Sequence, residues 1–226
     1  MASTSNACEP SHRLRYGAQV STDSTTPESR SQRKERTRAA IFDTALILCE
    51  DEPLAALSLR AIAKEVGIVP TAFYRHFESI EDLGLALVDR AMAVLRELLR
   101  EIRQACTDSD DPIKVSIDTL ITNFTSHPRI YGFVVRERVA GPPRVREAMS
   151  HGLELVTREL ATDLARLPRC RTWSTEDLTA LAALLIEQAL SAVAALIADA
   201  ANPGLSSRLH SQSRMLLVGA QNWESS

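Results

Sequence analysis

Apolar side chains along this chain recur at three- and four-residue steps, and no stretch sustains the period-two alternation of a half-buried strand. Ala39, Ala40, Phe42, Ala45, Leu46, Leu48 and Cys49 predict a first helix from Gln32 to about Asp51, with Pro53 as the break. Ser58 stands as an N-cap ahead of Leu59, Ile62, Ala63 and Val66, and Gly67 closes that short segment as a left-handed residue does. Pro70 suits the first position of another short helix, over 70–77. Ser79, followed by Glu81 and Asp82, opens a long helix to about Ala105, striped by Ile80, Leu83, Leu87, Ala91, Val94, Leu95, Leu98 and Ile102. Further helices are expected near 112–126, 128–138, 142–166, 174–201 and 204–222, punctuated by Pro128, Pro142, Pro143, Pro168 and Pro203. The fold class is therefore all-α, and no internal repeat is visible.

Residues 1–29 are rich in Ser and Thr and poor in large apolar side chains, so a disordered N-terminal extension is expected there. Composition adds little beyond support for a globular helical chain. Of 226 residues, 45% are hydrophobic, only 4% are aromatic, and there are 8 glycines and 10 prolines, so Leu, Ala, Val and Ile must build the core. The net charge of −3 counts mildly against a nucleic-acid partner. Its distribution counts the other way: residues 30–38 hold Arg30, Arg33, Lys34, Arg36 and Arg38 against Glu35 alone. Cys8, Cys49, Cys106 and Cys170 lie far apart, with no metal-ligand spacing, which fits a reduced, cytoplasmic protein. No apolar run follows the N-terminus, so no signal peptide is expected. The longest apolar stretch, 178–201, contains Glu187, Gln188 and Asp199, and no membrane span is expected from it.

Two short helices joined by a Gly-containing turn, S-L-R-A-I-A-K-E-V-G-I-V-P-T-A-F-Y-R-H-F over residues 58–77, make a helix-turn-helix. Leu59, Ile62, Ala63 and Val66 give one apolar face and Ile68, Phe73 and Phe77 the other, with Ala63 small enough for close crossing. The second helix is then held outward, able to enter a major groove. Arg33 and Arg36 in the basic run are candidate phosphate contacts; the alternative is a solvated helix face.

The stretch LSLRAIAKEVGIVPTAFYRHFESIEDL resembles the DNA-binding signature of the TetR family, TAFYRHF above all, and the preceding RKERTRAAIFDTALILC is similar to that family's first helix. GIVPTAFYRHF, DLGLALVD and the motif Arg136-Glu137-Arg138-Val139-Ala140-Gly141 look like their counterparts in FabR-type repressors of fatty-acid metabolism. The resemblance covers residues 32–103 closely and the rest weakly. It implies that Tyr74 and His76, with Ser58 and Arg60, contact phosphates, and that Thr71, Ala72 and Arg75 approach base edges. Where many members carry a Lys at the start of the fourth helix, this chain has Ser79-Ile80-Glu81. It also implies domains at 30–78 (helix-turn-helix) and 79–226 (ligand binding and dimerisation).

Residues 112–226 carry no catalytic arrangement, phosphate-binding loop or HxxxH, so neither an enzyme nor a cofactor or metal is expected. The helix at 174–201 is apolar around much of its circumference and must be buried on more than one side, by a second copy of the chain or within a monomer. Candidates to line an apolar cavity are Leu95, Ile117, Leu120, Phe124, Tyr131, Phe133, Val134, Leu153, Val156, Leu185 and Gln188. Arg136 and Arg138 either pair with nearby acids or meet an anionic ligand headgroup. The reading is a dimeric repressor on a palindromic operator in double-stranded DNA, with a long-chain acyl thioester such as acyl-CoA as the effector that the resemblance implies. The rivals are a repressor of an efflux or catabolic operon sensing another hydrophobic molecule, and a helical interaction protein or enzyme with an accidental helix-turn-helix.

Overall fold

The computed structural model describes residues 29–107, 109–199 and 204–223. The expectation for residues 1–29 falls, apart from Ser29, outside them. Among the described residues the chain is helical, with no strand. The elements are α1 (Arg30–Asp51), α2 (Leu59–Val66), α3 (Pro70–Phe73), α4 (Ile80–Cys106), α5 (Pro112–Ser126), α6 (Pro128–Ala140), α7 (Pro143–Leu164), α8 (Thr175–Ala198) and α9 (Leu205–Gln221).

Most boundaries fall within two residues of those read from periodicity, and the departures have local causes. α1 begins at Arg30 because Ser29 and Gln32 form a capping box, each side chain accepting from the other's backbone N–H at 3.1 and 2.8 Å. α3 is shorter than 70–77. After Phe73 the chain tightens, with Arg75 N–H donating to Ala72 O and His76 N–H to Phe73 O, before straightening into the Ser79 cap of α4. Leu54–Ala56 and Pro168–Cys170 form single 3₁₀ turns in connections expected to be plain breaks.

One core runs from α1 and α2 into the rest. Ile41, Ala45, Leu57, Ile62, Phe73 and Phe77 join Leu83, Leu87, Met92 and Leu95 of α4, and these join Phe133, Val145 and Val156. The packing is thus continuous across residue 78. α4 packs on α5 and α7, α7 on α8, and α8 on α9. α8 is long and apolar enough to cross a membrane by length and composition; 28% of its most apolar stretch is buried, and it packs on α6, α7 and α9. Leu184 and Ile197 on α8 and Met215 and Val218 on α9 stay exposed.

The motif at 136–141 is a junction. Arg136 Nη2 donates to the Glu50 carbonyl at the end of α1 (2.6 Å), and Arg129 Nε to the Glu50 carboxylate (2.8 Å). Glu137, fully buried, accepts the Leu54 N–H at 3.0 Å. Arg138 makes a two-point pair with Glu187 of α8 at 3.0 and 2.8 Å. Gly141 leaves room for this carboxyl: a Cβ there would lie 2.5 Å from the Glu137 backbone oxygen and 2.9 Å from Oε2. Gly84 does the same for the other side of the turn, since a Cβ would meet Leu54 Cδ2 at 2.4 Å. α6 thereby grips the base of the helix-turn-helix.

Burial pushes the Glu137 carboxyl above its ordinary 4.5, against the smaller opposing pull of the Leu54 N–H and Arg136. The folded state then holds the proton to higher pH than the unfolded chain does. The resulting stability is complete below pH 4.5 and is lost as pH rises through the folded value. Urea denaturation at pH 5, 6.5 and 8 should show this decline in the wild type and not in Glu137→Gln, which keeps the bond from Leu54. Equal slopes in both proteins would show that Glu137 is not its source.

Candidate functional site

The helix-turn-helix is set by short-range devices. Ser58 Oγ accepts the Ala61 N–H at 3.1 Å and opens α2. Gly67 ends it at φ 76°, the left-handed conformation in which a Cβ is strained, while Ile68 N–H returns to Ala63 O at 2.9 Å. Ile62 and Ala63 are buried where α2 meets its neighbours. Phe73 (0% exposed) and Phe77 (2%) anchor the reading element, with the Phe77 ring edge-on to Phe42 at 5.2 Å. Truncating either to Ala costs about 3–5 kcal/mol of stability.

Two buried anchors four residues apart force the intervening residues outward. Thr71 and Arg75 are exposed, Tyr74 is 60% exposed, and Ala72 is half-buried on the same element. Ser58 and Arg60 are exposed at the start of α2. The Ser58 oxygen serves the cap, which leaves its proton available to a phosphate. Arg33 and Arg36 lie exposed on α1 beside Lys34. Val69, 64% exposed at the N-terminus of α3, was not singled out from sequence, because a lone apolar residue in a turn carries no periodic signal.

Arg38 turns inward, and His76 is half-buried. Arg38 sits over the Phe77 ring at 4.3 Å and the Phe42 ring at 5.1 Å, and donates to the His76 carbonyl at 3.1 Å. It ties α1 to the end of the reading element. His76 is partly buried, and its Nδ1 has no partner among the described residues. Burial first, then Lys34 and Arg38, pull its pKa below the usual histidine value, so the free protein carries it neutral at pH 7.

An apolar cavity of about 670 Å³ lies among α4 to α9. Leu95, Leu120, Phe124, Val156, Leu185 and Gln188 line it, as do Ile117, Tyr131 and Leu153. Phe133, Val134, Arg136 and Arg138 do not. α6 has two faces: Tyr131 looks toward the cavity, whereas Phe133 and Val134 are buried in the central core. Arg136 donates to the Glu50 carbonyl and Arg138 pairs with Glu187, while Arg136 Nη1 is buried without a partner among the described residues. The sequence reading missed the contribution of α9, whose Leu209, Ser213 and Leu217 also line the wall. The stripe Leu205, Leu209, Leu216 and Leu217 was the available signal. It missed, too, the charged edge where Arg103 grips Asp163 at 3.0 and 2.7 Å and Arg166 joins at 3.0 Å. Asp163 raises the pKa of Arg103. The cavity and the helix-turn-helix share α6, which offers Tyr131 to one and Arg129, Arg136 and Glu137 to the other.

Residues 41–87 match the profile of the bacterial regulatory proteins of the tetR family. The whole fold is similar to solved structures of regulators. The fatty acid degradation regulator FadR from Bacillus halodurans is 15% identical, with a TM-score of 0.65 over 81% of this chain and 95% of that one. A transcriptional regulator from Aquifex aeolicus VF5 is 15% identical, with a TM-score of 0.64 over 80% of this chain and 99% of that one. SmeT in complex with triclosan is 19% identical, with a TM-score of 0.62 over 81% and 91%.

Arg38→Gln removes the cation–π contacts and the bond to His76 and should destabilise the protein by about 2 kcal/mol. Operator affinity should fall while the slope of log Kd against log salt stays unchanged, because Arg38 is turned inward and meets no phosphate. A flattened slope would place Arg38 on the DNA.

Proposed function

We propose that the chain is a tetR-family transcriptional regulator, a dimeric repressor whose hold on a palindromic operator answers to an apolar effector in the 670 Å³ cavity. The observation that carries this reading is the shared helix α6: its one face helps wall the cavity and its other end grips the base of the DNA-reading unit. In this reading Arg33, Arg36, Ser58, Arg60, Tyr74 and His76 hold phosphates, while Thr71, Ala72 and Arg75 meet base edges. Leu184 on α8 and Met215 and Val218 on α9 leave exposed apolar side chains for a second copy, and a two-fold pair of α8 and α9 makes a four-helix interface.

The effector reading is a long-chain acyl thioester, and the regulated genes serve fatty-acid metabolism. Support comes from the FabR-like motifs, from the similarity in fold to a fatty acid degradation regulator, and from a cavity of apolar walls with Arg166 at its charged edge. A volume of 670 Å³ is ample for an acyl chain. The second reading, a repressor sensing another hydrophobic molecule, is favoured by Arg136 and Arg138 lying outside the cavity, so that neither waits there for an anionic headgroup. Native mass spectrometry of the protein purified from cells distinguishes the two by the ligand retained.

Binding to the gene's own upstream DNA, measured on every single-base variant of the site, tests the assignment of the reading face. Tyr74→Phe should weaken all variants alike, by roughly 0.5–1.5 kcal/mol, as a lost phosphate contact does. Arg75→Ala should instead relax preference at one position per half-site by about 1–3 kcal/mol. A uniform loss for Arg75→Ala, or a position-specific one for Tyr74→Phe, would mean that the element sits differently in the groove.

A further inference from the structure

The walls of the cavity contain few polar groups, and nearly all of them are occupied. The Tyr131 hydroxyl donates to Asn123 Oδ1 at 2.7 Å. The Ser116 hydroxyl donates to the Pro112 carbonyl at 2.7 Å. The Thr107 hydroxyl donates to the Arg103 carbonyl at 3.1 Å. Asp163 is held by two arginines. Gln188, on α8, differs. Its Nε2 donates to Ser213 Oγ at 3.2 Å and, more weakly, toward the Leu209 carbonyl at 3.4 Å, both on α9. Its Oε1 is shielded from solvent and has no partner among the described residues.

The Leu209 carbonyl favours this orientation of the amide. Turned over, it would set Oε1 against the Leu209 carbonyl, two acceptors facing each other. With the amide so placed, the Gln188 oxygen is a shielded acceptor without a partner among the described residues. Buried acceptors of this kind are rare in native structures, and each calls for a reason. Among the described residues, the other shielded atoms that lack partners belong to His76, Arg136 and Glu137, in the reading unit and the junction. Gln188 alone of these four residues lines the cavity.

We propose that the molecule bound in this cavity carries a hydrogen-bond donor, a hydroxyl or an amide N–H, on an otherwise apolar body, and that Gln188 Oε1 receives it. The inference rests on the reading of the cavity as the effector site and narrows the chemistry of the occupant. A hydrocarbon, an ether or the thioester group itself brings no donor to that oxygen, and a carboxylate would repel it. Within the acyl reading, the group that serves is an amide N–H of the thiol-bearing arm or a hydroxyl on the chain. Selectivity of this kind is steep, because a ligand without the donor leaves a buried acceptor unpaired in the complex as well.

The test uses the full-length protein and two isomeric probes, 1-decanol and 1-methoxynonane, which share one composition and differ in that only the alcohol donates. Isothermal titration calorimetry should give at least tenfold tighter binding of decanol to the wild type. Gln188→Met, similar in length and without the oxygen, should bring the two probes within about threefold of each other. Equal binding of both by the wild type overturns the inference while leaving the cavity a binding site, and this comparison stands even if the variant fails to fold. A tenfold preference that survives in Gln188→Met assigns the donor to another group and overturns the role of Gln188. If neither probe binds a wild type that still holds its operator, the inference and the effector reading of the cavity fall together.

Discussion

A carboxyl with no exposed surface sits at the seam between the two functional parts of this molecule, and the arrangement of both depends on it. Glu137 reaches from α6 to the N–H of Leu54, in the turn that links α1 to α2. Burying a carboxyl is costly, and the fold offsets that cost with the Leu54 bond, the neighbouring Arg136 charge and the space left by Gly141. Arg136 and Arg129 close on Glu50 beside it, and Gly84 lets Leu54 lie flat on α4. The result fixes the reading unit to the same helix that presents Tyr131 to the cavity. A shift of α6 on ligand binding then has a short route to α1 and α2, through polar contacts of definite geometry rather than through loose packing.

Charge explains how a chain of net charge −3 can still present a basic face. The cations of α1 are divided by function. Arg33, Lys34 and Arg36 face outward, while Arg38 covers two aromatic rings and ties down His76. Some acids of the C-terminal half are engaged by arginines, as in the pairs of Arg103 with Asp163 and of Arg138 with Glu187. The sum over the chain therefore says little about the surface that approaches a phosphate backbone.

Much of this was legible in the sequence, and the remainder has physical reasons for being hidden. Local rules found the caps at Ser58 and Ser79, the left-handed Gly67 and the helices, because each depends on a few neighbouring residues. The start of α1 was equally local, yet the Ser29–Gln32 box lay at the margin of a polar segment and gave no apolar stripe to draw attention. The reading element was drawn too long because Phe73 and Phe77 keep helical spacing although the chain between them tightens. The cavity was legible only in part. Periodicity shows that a residue is buried but not which of two buried faces it joins, so Phe133 and Val134 looked the same as Tyr131. The partners of Arg136 and Arg138, more than 40 residues away along the chain, could not be read from spacing at all.

The central claim is that the cavity and the reading unit are energetically coupled through α6. The most direct measurement is the operator Kd of the wild type beside that of Leu120→Trp, a substitution that fills the cavity from α5 and touches no residue of the helix-turn-helix. Both are measured at one salt concentration, with thermal melts as a check on folding. The account predicts a change in Kd of about fivefold or more, the lower end of ordinary allosteric coupling, with two protomers per duplex in both proteins. Equal affinities in two equally stable proteins would contradict it, since a filled cavity would then leave the reading unit unmoved.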